Sequence, residues 1–171
     1  MLLWAIALVV LSGCAHSPRH VNLPSSRNSY DEAFLTWLVT YHQEQDRMTG
    51  PCAHNDSIRQ ELRTFCAQSD QRHAERLERL RSWLKDWYGK ELPRPDPHPL
   101  WLASLKGQEF EREFFKEYLG DHDEGIEQTS KCASTATHVE LRELCGRINP
   151  AQKKTDTQLR AWRCEWFNDC K

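Results

Sequence analysis

Three histidines fall where helical spacing gathers them. His42 lies on a stripe with Phe34, Leu35, Leu38 and Val39, and His122 on one with Phe115, Tyr118, Leu119 and Ile126, so both face a core. His73 and Gln152 hold matching places on the helices that follow. Neutral imidazoles suit Zn or Cu(II), and Asp46, Asp121 and Asp123 are close enough in sequence to add ligands or orient the rings. Glu44 and Glu124 sit two residues past their histidines, about 200° around a helix, on the wet side. A thioether copper(I) site is excluded, because Met48 is the only Met beyond Met1. The same stripes suit a buried hydrogen-bonded layer, which any buried imidazole needs. That layer is the expectation, with no cofactor; a copper or zinc site at His42, His73 and His122 is the alternative.

The cysteines carry the second chemistry. Seven are present, and no Cys-x-x-Cys pair supports a thiolate zinc site. Setting Cys14 aside leaves six, for which fifteen pairings exist. An internal repeat selects among them: Cys52–Cys66 and Cys132–Cys145 flank equivalent loops, and Cys164–Cys170 follows by elimination. Each hairpin bridge closes about 15 residues and stabilises by roughly 3 kcal/mol. With the thiols paired and no Ser in a nucleophile elbow, no enzyme is expected. Glu111, Glu113 and Glu117 are expected to form a solvated helix face. His16, His20, His54, His98 and His138 are expected in water, and the Trp83/Trp87 and Trp162/Trp166 pairs in the core.

The elements that position these groups come from the repeat, the strongest signal in the chain. Phe34, His42, Glu44, Thr49, Cys52 and Ala53 recur at an offset of 80 as Phe114, His122, Glu124, Thr129, Cys132 and Ala133. After a one-residue gap, Glu61-Leu62-Arg63, Cys66, Leu80-Arg81, Trp83 and Trp87 recur as Glu140-Leu141-Arg142, Cys145, Leu159-Arg160, Trp162 and Trp166. Each copy has the period of a helical hairpin. Thr49-Gly50-Pro51 is expected to stop the first helix, and Pro150 to kink or interrupt the last. Pro93, Pro95, Pro97 and Pro99 alternate as in a stiff polyproline II strut. The fold class is all-α: a four-helix bundle of two tandem, disulfide-stapled hairpins. The expected layout is a signal at 1–13, a tether at 14–29, hairpins at 30–90 and 108–171, and a linker at 91–107.

Composition agrees. Leu, Ile, Val and Phe make up 27 of the 158 residues from Cys14 onward, about 17%, too little for a large aliphatic core. A net charge of −2 excludes a charged disordered tail. A sequence pI near 6.4 gives no footprint for nucleic acid. No protein partner is legible.

Two resemblances add to this reading. The apolar run Met1–Val10 followed by Leu11-Ser12-Gly13-Cys14 resembles a bacterial lipoprotein signal. It implies lipidation at Cys14 and a bundle anchored to the membrane of the cell envelope. Ala15 after the Cys implies the outer membrane, facing the periplasm. The paired hairpins resemble the ferritin-like domain of unknown function 305. Its first-helix His-His motif survives as Tyr41-His42 and Asp121-His122, and its closing Met-x-x-Trp as Leu159-Arg160-Ala161-Trp162. The resemblance implies a ferritin-like bundle, and some members of that family are associated with copper handling.

Overall fold

A computed structural model describes residues 27–94 and 101–170. Cys14, the signal, the expected tether up to residue 26 and residues 95–100 lie outside the described residues, as do His16, His20 and His98, while residues 27–29 of the expected tether already belong to the first helix. Four helices follow in order: α1 (Arg27–Ala53), α2 (Gln60–Tyr88), α3 (Gly107–Thr135) and α4 (Val139–Phe167). A short 3-10 turn, Trp101–Ser104, precedes α3, and no strand occurs among the described residues. The second helix of each hairpin ends on a left-handed residue at the same repeat position. Gly89 (φ 63°) closes α2, its N–H donating to the Lys85 carbonyl at 2.8 Å. Asn168 (φ 55°) closes α4, donating to Cys164 at 2.9 Å. These are the two residue types that accept this conformation most readily.

The helix stop expected at Pro51 and the interruption expected at Pro150 need correction. α1 runs through Pro51 to Ala53, and α4 runs unbroken through Pro150. Pro51 lies in the last turn, where one missing donor matters little, and the neighbouring Cys52 is tied to α2. Around Pro150, Leu144, Ile148 and Gln152 are all buried, so packing holds the helix together.

α1 packs along α2 and α3 along α4, and the hairpins meet along α1 and α3. The core is divided into two apolar clusters. One joins Tyr30, Phe34, Leu35, Leu38 and Val39 of α1 to Leu80 and Leu84 of α2 and Leu141, Leu144 and Ile148 of α4. The other joins Met48 and Leu62 to Phe110, Phe114, Phe115, Tyr118 and Leu119 of α3 and Leu159 of α4. The tryptophan pairs stack on themselves, with ring centroids 5.0 and 5.2 Å apart, and each pair lines the margin of one cluster. Three disulfides form as expected. Cys52–Cys66 and Cys132–Cys145 have Cα separations of 5.7 and 5.9 Å, and Cys164–Cys170 one of 4.3 Å.

The hairpins are also locked to each other, by residues expected in water. Asp31 of α1 is fully buried and caps the start of α4, accepting from the Thr137 N–H (2.9 Å) and the His138 N–H (2.8 Å). Its carboxylate also pairs with His138 Nδ1 at 2.8 Å, and the imidazole lies flat on Trp87, centroids 3.9 Å apart. The other end repeats the device. Glu111 of α3, 1% exposed, accepts from the Arg59 N–H at the start of α2 (2.7 Å) and pairs with its guanidinium. That guanidinium lies over Trp166, 4.6 Å from the ring centroid. Each acid satisfies orphan donors at the positive end of a helix in the other hairpin. Glu111 is therefore buried and His138 only half-exposed, whereas His54 is exposed as expected.

Candidate functional site

A polar layer separates the two apolar clusters, and every helix contributes to it at mid-length. α1 supplies Tyr41, His42 and Gln45, and α2 supplies Ser69 and His73. α3 supplies Tyr118, His122, Gly125 and Thr129, and α4 supplies Gln152. His42, His73 and His122 are 1%, 6% and 4% exposed, so the structure brings all three candidate ligands into one buried layer.

Part of the layer is a closed hydrogen-bond chain. Gln152 Nε2 donates to the Tyr41 hydroxyl at 2.9 Å, and Gln152 Oε1 lies 3.0 Å from the Thr129 hydroxyl. Asn149 Nδ2 donates to the Ile126 carbonyl at 2.6 Å and reaches Thr129 at 3.1 Å. Gly125 is required here, because a Cβ would lie 2.6 Å from Gln152 Nε2 and 2.7 Å from Tyr41 Cζ.

The imidazoles differ. Nδ1 of His42, of His73 and of His122 is buried with no hydrogen-bond partner. The His42 and His73 rings are 5.4 Å apart, and His122 lies against Tyr118 at 4.6 Å. Burial is the main cause that keeps all three neutral. It pushes His73 down to about 3 and His122 down to about 4, and His42 falls well below its usual value. Arg76 adds to this at His42 and His73, its guanidinium 3.4 Å from His42 Nε2. An imidazole kept neutral retains a lone pair for a metal ion. Three buried nitrogens without partners are also an unusual cost for a layer serving only to hold the fold.

The candidate acids do not join the rings. Asp121 accepts from Gln45 Nε2 at 3.3 Å, and Asp123 pairs with Arg160 at 2.7 Å. Asp46 faces Asp70, and its carboxyl is pushed up to about 6 by burial first and by that neighbour second. Among the described residues, no three His, Cys, Asp or Glu side chains converge on one point that would hold a metal ion. The donor set is thus two facing imidazoles with a third beside them, chemically suited to copper or zinc but not closed around an ion. Met48 lies in an apolar cluster, away from the layer.

Apolar spacing alone does not point to Arg76, to the Tyr41–Gln152–Thr129 chain or to the acids that join the hairpins. The repeat carried a signal for those acids. Asp31 and Glu111 stand 80 apart, and Arg59/His138 and Trp87/Trp166 stand 79 apart.

Residues 100–163 match the family model for DUF305, a domain of unknown function, so the match falls on the second hairpin and the segment before it. The match and the four-helix structure are consistent with a DUF305-like helical domain. No curated protein matches the sequence. Among solved structures, the chain is similar to CopM in the Cu(I)-bound form, with a TM-score of 0.70 and 18% identity over 80% of this chain and 97% of that one. The apo form of CopM gives a TM-score of 0.69 at 19% identity, and the Cu(II)-bound form 0.69 at 17%, each over 80% of this chain. At such identities the likeness establishes the shared fold.

Proposed function

We propose that this chain is a non-enzymatic helical module of the cell envelope that binds a copper-type ion at the imidazole layer. The carrying observation is the set of three buried, neutral imidazoles whose Nδ1 atoms have no partner. His42 and His73, with ring centroids 5.4 Å apart, form the primary pair, and His122 of the same buried layer is the third candidate ligand. The similarity to CopM, solved in Cu(I)-, Cu(II)- and Ag-bound forms, supports this choice of ion over zinc. Three disulfides support an oxidising, extracytoplasmic address. Cys14 carries the lipid that holds the module to the membrane. Cys14→Ser should release it from the membrane fraction, and unchanged retention would refute the anchor.

The competing reading is a purely structural layer, favoured by the Arg76 cation beside His42 and by the absence of a converged ligand group among the described residues. Thermal denaturation of chelator-treated protein with its disulfides intact, titrated with Cu(II), Ag(I) and Zn(II), separates the two. At 100 times the dissociation constant a bound ion stabilises by about 2.7 kcal/mol. For a chain of this size that raises Tm by roughly 5–10 °C. A His42→Phe/His73→Phe double variant keeps aromatic volume and should lose the shift. If no ion raises Tm, or if the double variant responds like the wild type, the layer is structural.

A further inference from the structure

Above the imidazole layer, α2 and α4 scarcely touch, and a cavity of about 220 Å³ opens between them. Its lining is Arg72, Glu75, Arg76 and Arg79 from α2, with Leu144, Arg147 and Ile148 from α4. Four guanidinium groups therefore face one small space. Their carboxylate partners are few. Glu75 accepts a hydrogen bond from Gln71 at 3.1 Å, outside the group. Arg147 has only a loose, exposed contact with Glu143 at 3.7 Å. Arg72 donates to the Ser69 hydroxyl at 2.9 Å, and Arg76 lies against His42 Nε2, so both are held in place by neutral groups. Among the described residues no carboxylate pairs with Arg72, Arg76 or Arg79.

We propose that this groove binds a small multivalent oxyanion of the phosphate class, bridging Arg72, Arg76 and Arg79 of α2 to Arg147 of α4. Four like charges on facing helices repel one another, which accounts for a gap where tandem hairpins would otherwise close. Planar guanidinium forks pair with oxyanions through two parallel hydrogen bonds each, a geometry that neither chloride nor a single carboxylate can satisfy from four directions. The floor is the buried pair Leu144 and Ile148, which lowers the local dielectric and strengthens each charge contact. The groove, about 220 Å³ and open to solvent, has room for a phosphate or pyrophosphate between the two helices. Arg76 reaches deepest, half-buried, while Arg72, Arg79 and Arg147 remain exposed at the mouth. Arg76 borders both this groove and His42, so the groove is tested on metal-free protein.

The test is calorimetric titration of chelator-treated, metal-free protein with inorganic pyrophosphate at low and at physiological salt. The wild type should bind with an affinity that falls as salt rises. Arg79→Ala/Arg147→Ala removes one exposed charge from each helix and should weaken binding about tenfold or more. Lys153→Ala/Lys154→Ala removes the same charge elsewhere on α4 and should leave affinity unchanged. Hydrogen exchange should slow on pyrophosphate binding in both 72–79 and 144–148. Absence of binding, an equal loss in the lysine variant, or protection confined to α2 would each overturn the proposal.

Discussion

Replacing Gly125 with Ala tests the close approach on which the polar layer is built. Inside a helix Gly is less stable than Ala by about 0.5–1 kcal/mol, so Gly→Ala ordinarily stabilises. Gly120 and Gly146 are such positions: both are helical, and a Cβ at either would meet nothing within 4 Å. At Gly125 the added carbon would overlap Tyr41 and Gln152, coming closest to the Tyr41 hydroxyl. Neither side chain can swing into water, since Tyr41 is 8% and Gln152 6% exposed. Overpacking of this kind costs about 1–3 kcal/mol. Breaking the 2.9 Å Gln152–Tyr41 bond strands two buried polar groups, for about 1–3 kcal/mol more. Against the propensity gain, the net loss is about 1–5 kcal/mol, a fall in Tm of roughly 2–20 °C at this chain length. Gly120→Ala and Gly146→Ala should instead raise Tm by about 1–4 °C each. Adding Tyr41→Phe to Gly125→Ala removes the closest atom and should recover part of the loss. Scanning calorimetry reads all four variants. If Gly125→Ala melts at or above Gly120→Ala, the layer is not packed as described.

Other perturbations probe the remaining elements. Glu111→Gln should destabilise by about 2 kcal/mol in urea titration, because Arg59 is only partly screened by solvent, while Glu113→Gln should be near neutral; equal effects would refute the buried lock. Non-reducing peptide mapping should recover Cys52–Cys66 and Cys132–Cys145 within their own hairpins, and a paired Cys132→Ser/Cys145→Ser variant should lose about 3 kcal/mol. Acid should weaken the fold. The unfolded chain binds protons at His42, His73 and His122 below about 6.5, whereas the folded chain takes them up only near 3 at His73 and near 4 at His122. Stability therefore falls as pH drops from about 6.5 toward 4, by up to ~1.4 kcal/mol per pH unit for each histidine. Asp46 and Asp121, both pushed up to about 6 chiefly by loss of water, act with the opposite sign between 3.8 and 6. Both carboxyls keep part of their surface in water, which screens their share, so the more deeply buried histidines dominate. His73→Gln should flatten the fall in Tm across that window, and a slope identical to wild type would contradict the burial argument.

The architecture was legible in the linear chain because it rests on local and repeated patterns. Apolar spacing of three and four residues defines each helix wherever it is packed, and matched Cys and Trp at offsets of 79 and 80 make the two hairpins copies of one unit. From that duplication the two hairpin disulfides and the matched inward placement of His42 and His122 follow, because equivalent residues must occupy equivalent places, while Cys164–Cys170 follows by elimination. Breakers were less legible. Pro51 and Pro150 argue locally for helix ends, yet a single lost hydrogen bond is outweighed by buried neighbours, which only tertiary packing supplies. The locks between the hairpins depended on packing in the same way. Glu111 belongs to a run of charged residues and looks solvated until α2 delivers the Arg59 N–H to it. Asp31 and His138 are 107 positions apart, and their pairing exists only because α1 begins beside the turn into α4. The state of the imidazoles was likewise decided in three dimensions. Spacing can turn a histidine inward, but whether its nitrogens find partners depends on what the other three helices present. Here they present Tyr41, Tyr118 and the Arg76 guanidinium, so burial keeps the rings neutral and leaves three nitrogens unpaired.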